Sequence, residues 1–310
     1  MSRPTQKKAH AGVVPSTAPE TVSPKWLFKA MGVVILVALV CSYLSLGLLF
    51  YQGQWQIVLH PDAAAKTRPA APGLLRFAPD ESGRPQLTGE WFGAASGTRY
   101  AGLTVLLLNG GDGSRENSAS TVAALHDLGL NVFSFDYRGY GLSQDIHPSQ
   151  LRMTEDSQAA WRYLTESRGT SARQIVIYGT GVGASLATRL AIDHPESPAL
   201  IVDSPNGDLL EVVRKDYRSS LLPTAMLFHE RFPLANPLVT LGTPKLLITT
   251  DSKPEPSAFV TAASPKMIVS LPSVPGPLYG EAITRFLDQY VSSSARQLVP
   301  SVAPAGTKIH

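Results

Sequence analysis

Cysteine is almost absent from this 310-residue chain. Cys41 stands alone, so neither an internal disulfide nor a cysteine-built metal site can form. An excess of one charge is missing too. The 27 lysines and arginines nearly balance the 24 aspartates and glutamates, and the basic residues are scattered rather than striped. That distribution excludes the basic face a nucleic-acid binder needs. Histidine is missing from a whole stretch of the chain, with none between His229 and His310. No internal repeat is present, and no cofactor or metal is expected.

Against these absences stands one long apolar run, Met31 to Tyr51, which carries no charged residue. A bilayer core requires about 20 helical residues at about 1.5 Å each, so the run is long enough to span. A cleavable signal would have a shorter apolar region with small residues close behind it. Here Ala63 to Ala65 come well after the run, which favours a retained anchor. Arg3, Lys7, Lys8, Lys25 and Lys29 precede the run, whereas only Lys66 and Arg68 follow it closely. That asymmetry predicts a single-pass membrane protein, with the N-terminus cytoplasmic and the C-terminal domain extracytoplasmic. Trp26, Tyr51 and Trp55 stand where interfacial aromatics would. The expected organisation is a cytoplasmic disordered tail over 1–30, a transmembrane helix over 31–51 and a linker over 52–72. A folded domain over 73–292 and a disordered tail over 293–310 follow.

Within the domain, short continuous apolar runs alternate with helical patterns. Runs at 104–108, 132–135, 175–178, 199–202, 246–249 and 267–271 lack period-2 alternation, which predicts strands buried on both faces. Helical patterns at 118–128, 153–168, 183–193 and 280–292 separate them. The predicted class is α/β, a mostly parallel central sheet flanked by helices. Residues 208–241 read as a helix plus an irregular, cap-like insertion. In such sheets ligands bind at the carboxyl ends of the strands.

Five segments carry a resemblance. Asp136-Tyr137-Arg138-Gly139-Tyr140-Gly141 closes the second buried strand. Gly179-Thr180-Gly181-Val182-Gly183 forms a sharp turn into a helix, Asp203-Ser204-Pro205 ends the next strand, and Arg231-Phe232 precedes Leu246 to Thr250. In this order and spacing they resemble the α/β-hydrolase superfamily in its membrane-associated, Bem46-like branch. The resemblance implies an α/β-hydrolase fold with a G-x-S-x-G elbow, whose serine attacks an acyl substrate.

The catalytic positions depart from that pattern. Gly181 stands at the serine's place, Lys253 at the acid's with Asp251 two residues early, and Gly276 at the base's, while Asn109-Gly110 opens the oxyanion loop. Loss of a triad serine or histidine lowers turnover by about 10⁶-fold. The expected function is therefore a membrane-anchored, degenerate hydrolase-like protein. It would bind a ligand or partner in a cleft lined by Asn109, Gly110, Gly111, Tyr140, Thr180, Gly181 and Val182. The bilayer through residues 31–51 and an acyl or lipid-like small molecule are the expected partners. Two alternatives stay open. One is an active esterase with rearranged residues, drawn from Ser185, Ser204, Asp136, Asp251 and His147, of which Ser185 is the fallback nucleophile. The other reads Ile175 to Ala184 as strand, G-x-G-x-x-A and helix, a dinucleotide-binding fingerprint.

Overall fold

Five of the eight strands form the buried heart of one sheet, and their side chains explain why. In the computed structural model, β1 (Leu74–Phe77), β2 (Leu87–Phe92), β3 (Thr104–Leu108), β4 (Asn131–Asp136), β5 (Ile175–Thr180), β6 (Leu200–Asp203), β7 (Lys245–Thr250) and β8 (Lys266–Leu271) stand in the order β1-β2-β4-β3-β5-β6-β7-β8. The pairs β1–β2 and β2–β4 are antiparallel and the rest are parallel. Every residue of β3 and β6, and all but one terminal residue of β4, β5 and β7, is buried. A strand covered on both faces needs no polar alternation, hence its continuous apolar sequence. The structure describes residues 23–61, 73–111, 115–207, 209–216, 221–252 and 255–291. Residues 1–22 of the expected 1–30 tail, the expected tail over 293–310, most of the expected linker and the acid-position Lys253 lie outside them.

The chain divides into two units, Met1–Leu49 and Phe50–His310. The first contributes most of helix α1 (Pro24–Gly53), which is long and apolar enough to cross a membrane by length and composition. A signal sequence would pass the same test.

The second unit holds the sheet and the helices α2 (Trp55–Val58), α3 (Ala119–Asp127), α4 (Gln150–Arg162), α5 (Gly183–Asp193), α6 (Leu209–Lys215), α7 (Thr224–Leu227), α8 (Ala235–Thr240), α9 (Ser257–Thr261) and α10 (Tyr279–Tyr290). Two apolar clusters sandwich the sheet. One joins Leu106, Phe133 and Ile177 to α4 and α5, and the other joins Val105, Val132 and Tyr178 to α3 and α10. Helix α10 buries Tyr279, Ala282, Ile283, Phe286 and Leu287, the i, i+3, i+4, i+7, i+8 stripe of a surface helix.

The sequence reading needs correction at three places. Residues 24–30, expected as disordered tail, are the first turns of α1. Strands β1 and β2 were not expected. They are short and partly exposed, and Gly89 breaks the apolar pattern because the Phe133 ring lies where its side chain would go. Residues 52–61, read as the start of a linker, are packed structure. Val58 and Leu59 join the core, and the buried Gln54 bonds inward.

Candidate functional site

The turn from β5 into α5 passes through Gly181, whose φ of +57° lies in the left-handed region. Glycine takes this conformation without steric cost. Its N–H reaches the Asp203 carbonyl at 3.3 Å, and its own carbonyl accepts from the Asn206 N–H at 3.4 Å. The glycines on either side are there for a different reason. A Cβ on Gly179 would collide with the Gly183 carbonyl and with Ala187, and one on Gly183 with the Leu108 and Asn109 carbonyls. Both sites let α5 lie directly on the sheet. A Cβ on Gly181 would meet only Gly110 Cα at 3.3 Å and Asn206 Oδ1 at 3.4 Å. The apex is thus a left-handed turn with room for a small side chain and none present.

The loop after β3 faces this apex. Asn109 is buried and turned inward, donating from Nδ2 to the Phe135 carbonyl at 3.0 Å and accepting from Ser118 Oγ at 2.5 Å. It ties β4 to the start of α3. The Gly111 carbonyl accepts from the buried Tyr140 hydroxyl and from the His60 N–H, each at 2.7 Å. A side chain on Gly111 would meet Leu59, Val182 and the Val58 carbonyl. One flank of the expected cleft is therefore filled by Val58 to His60 of the chain itself.

The other flank is open. A cavity of about 260 Å³ lies between Gly110 after β3, Thr180 and the Asp203–Ser204 pair on the sheet side, Asn117, Ser118, Ser120 and Thr121 at the start of α3, and Val274–Pro275 after β8. Its wall is rich in hydroxyls, with one carboxylate. Asp203 accepts from the Tyr178 hydroxyl at 2.5 Å, and Tyr178 lies 2.7 Å from the Tyr279 hydroxyl. Tyr178 spends its proton on the carboxylate, so Tyr279 donates to Tyr178. Burial is the main cause holding both phenols well above their ordinary range, so they stay protonated.

Of the expected cleft residues, Gly110 and Thr180 line this cavity; Gly181 at the turn's apex does not, and Asn109, Gly111, Tyr140 and Val182 are buried away from its wall. The remaining candidates are dispersed. Asp251 is exposed, accepts from Ser270 Oγ and is absent from the cavity wall. Gly276 follows the lining residues Val274 and Pro275 and leaves no space for a side chain beside Ser273. Ser185 donates to the Pro233 carbonyl at 2.7 Å, fastening α5 to the chain before α8. His147 is exposed, with its ring 5.1 Å from that of Trp55. Asp136 is buried and accepts from the N–H groups of Arg115 at 2.7 Å and Leu142 at 3.3 Å, which shapes the turn through Gly141. Burial raises its pKa above the ordinary carboxylate value, and the bond from Arg115 opposes the rise. Ser204 has a φ of +44°, unusual for a residue with a side chain, and lines the cavity. Among the described residues no group of three or more His, Cys, Asp or Glu could hold a metal ion. Sequence reasoning missed the hydroxyls at the start of α3 and the Tyr279–Tyr178–Asp203 chain, which bring together segments far apart in sequence.

The profile of the family described as "Serine aminopeptidase, S33" matches residues 101–253. An uncharacterized protein of Mycobacterium tuberculosis, Rv2307c, is 32% identical over 228 residues, covering 72% of this chain and 78% of that one. The chain belongs to the α/β-hydrolase superfamily. Among other superfamily members, human alpha/beta hydrolase domain-containing protein 17C is 31% identical over 121 residues, covering 39% of this chain and 34% of that protein. The solved structure of the Pyrococcus furiosus esterase PF2001 superposes with a TM-score of 0.57 at 18% identity, covering 75% of this chain and 97% of that one. At that identity the likeness speaks for the α/β-hydrolase fold alone.

Proposed function

We propose that this chain is a membrane-anchored α/β-hydrolase-like protein, of the Bem46-like branch, that performs no serine-hydrolase chemistry and binds a small ligand in the cavity beside its elbow. The observation that carries the reading is the glycine at the left-handed apex between β5 and α5. An esterase or an aminopeptidase of this superfamily needs a hydroxyl there to form the acyl-enzyme. Among the described residues, no histidine or cysteine lines the cavity either. At about 260 Å³ the space suits a small polar group, such as the head of a lipid-like or acylated molecule, rather than a whole acyl chain. The anchor is α1, with the short N-terminal segment on the cytoplasmic side, as the lysine and arginine asymmetry favours.

The test is hydrolysis of p-nitrophenyl acetate and butyrate by the detergent-solubilised full chain. The expected rate equals that of the heat-denatured protein. Robust turnover that a single cavity substitution abolishes would overturn the reading. One observation favours a second reading, in which Ser204 is a rearranged nucleophile: its strained backbone places it on the cavity wall beside Asp203. Under that reading Ser204→Ala would be the abolishing change.

A further inference from the structure

The wall of the cavity beside the elbow has a hydrogen-bonding character that follows from its side chains. Asp203 is 4% exposed, and its carboxylate accepts from the Tyr178 hydroxyl at 2.5 Å. Tyr178 is bonded in turn to Tyr279 at 2.7 Å, so two buried phenols hold the carboxylate in place. Ser118 spends its proton on Asn109 Oδ1, which leaves its oxygen able only to accept. Four further hydroxyls line the same space, those of Ser120, Thr121, Thr180 and Ser204. None of the four is bonded to another of the described residues, and each can turn to donate or to accept. Among the described residues the wall holds no lysine, arginine or histidine. Arg115, which opens the helical run into α3, is engaged elsewhere. Its guanidinium pairs with Glu90, and its N–H donates to Asp136 Oδ1 at 2.7 Å. The first amide of that run thus already has its anion in Asp136.

Three classes of ligand group can be weighed against this wall. An anion only accepts, and would face Asp203 and Ser118, which only accept as well. An ammonium group only donates, and would leave the protons of the four rotatable hydroxyls without an acceptor. A polyol carries one donor and two acceptor lone pairs on every hydroxyl, so it answers both kinds of group. Charge assistance makes its bond to Asp203 the strongest of the set. Val274 and Pro275 add apolar surface for the C–H groups between the hydroxyls. At about 260 Å³ the space falls below that of drug-sized ligand sites and suits a single such unit. We propose that the cavity takes one neutral polyol unit, a glycerol head or a single sugar ring, with Asp203 as its principal acceptor. The proposal deepens the reading of this cavity as a non-hydrolytic binding site and rests on it.

The experiment is saturation-transfer NMR on the full chain in a polyoxyethylene detergent, which contributes no sugar or glycerol of its own. The probes are 1-O-butylglycerol, methyl glucoside, sodium acetate and propylammonium chloride, with 1-monobutyrin as the ester counterpart of the first. The expected result is transfer to the C–H protons of 1-O-butylglycerol or methyl glucoside, and none to acetate or propylammonium. A stronger response from the glycerol ether assigns the unit to a lipid head, and one from the glucoside to a free sugar. Asp203→Asn keeps the side chain's shape and an acceptor for Tyr178, and should weaken polyol binding about tenfold or more. Thr121→Val, at a half-buried position of α3, should weaken it about threefold. Near-ultraviolet circular dichroism reports whether each variant is folded, and Thr121→Val carries the test if Asp203→Asn is not. Polyol binding that folded variants leave unchanged, silence from both polyols, or acetate or propylammonium binding in their place would overturn the proposal and leave the non-hydrolytic reading standing. Release of butyrate from 1-monobutyrin faster than with the heat-denatured chain would overturn the non-hydrolytic reading itself.

Discussion

At Gly181 the left-handed backbone costs a residue with a Cβ about 1–2 kcal/mol, and the surrounding space is only slightly tight. Gly181→Ala should therefore lower the unfolding free energy in urea by about 1–2 kcal/mol. Gly183→Ala drives a methyl into backbone carbonyls that cannot retreat, and should cost about 3 kcal/mol or more. Equal losses for the two would contradict the steric distinction between apex and packing glycines. Gly181→Ser should fold like Gly181→Ala and remain without ester turnover, since a hydroxyl needs a base to activate it and among the described residues no histidine lines the cavity. The place of Gly181 was legible in the sequence because the elbow's spacing is local, running five residues from Gly179 to Gly183. The cavity's own chemistry was not legible. Ser118, Thr121, Asp203, Tyr178 and Tyr279 come from α3, β5, β6 and α10, and only the folded sheet brings them to one end.

Among the elements, the parallel strands were readable and the antiparallel pair was not. Strands β3 to β7 are apolar along their length because both faces are covered. Strands β1 and β2 sit at the sheet's edge, where exposure and Gly89 dilute the pattern. Lys245 at the start of β7 is a case where the apolar rule is broken and satisfied at once. Its ammonium is buried and donates to the carbonyls of Leu241 at 2.9 Å, Ala263 at 2.8 Å and Pro265 at 3.3 Å, tying the end of α8 to the approach to β8. Burial, with a smaller push from Lys266, lowers its pKa from 10.5 to about 8. Between those two values the unfolded chain holds a proton that the folded one has released, so folding stability should rise with pH across that window. Below about pH 8 both states are protonated and this contribution is flat. Thermal unfolding of the parent and of Lys245→Met across pH 7 to 10 checks this, and the window's slope should be smaller in the variant. A parent whose slope matches the variant's would refute the assignment. The link from β5 through β6 to α10 makes a parallel prediction. Tyr178→Phe removes the phenol that serves Asp203, and should cost about 1.5–3 kcal/mol in urea unfolding, as expected for a bond to a charged group.

For the whole molecule, the mostly parallel sheet covered on two faces agrees with what continuous apolar runs implied, and the superfamily membership with the resemblance carried by Asp136 to Gly141 and the later segments. The one large surprise is that the folded unit begins at Phe50, so the residues after the apolar helix belong to the domain and fill one flank of the cleft. Their signal was weak because Trp55 to Leu59 is a single short apolar run, with Val58 and Leu59 buried and Trp55 and Ile57 only partly so. The central claim is that this α/β-hydrolase fold retains its elbow without a nucleophile. Its most direct test is exposure of the detergent-solubilised full chain to a fluorophosphonate probe, read by intact mass and peptide mapping. The account predicts an unmodified protein under conditions that label an active serine esterase completely. A stoichiometric adduct on a mapped serine, Ser204 or Ser185 above all, would contradict it and make the chain an active hydrolase with a relocated nucleophile.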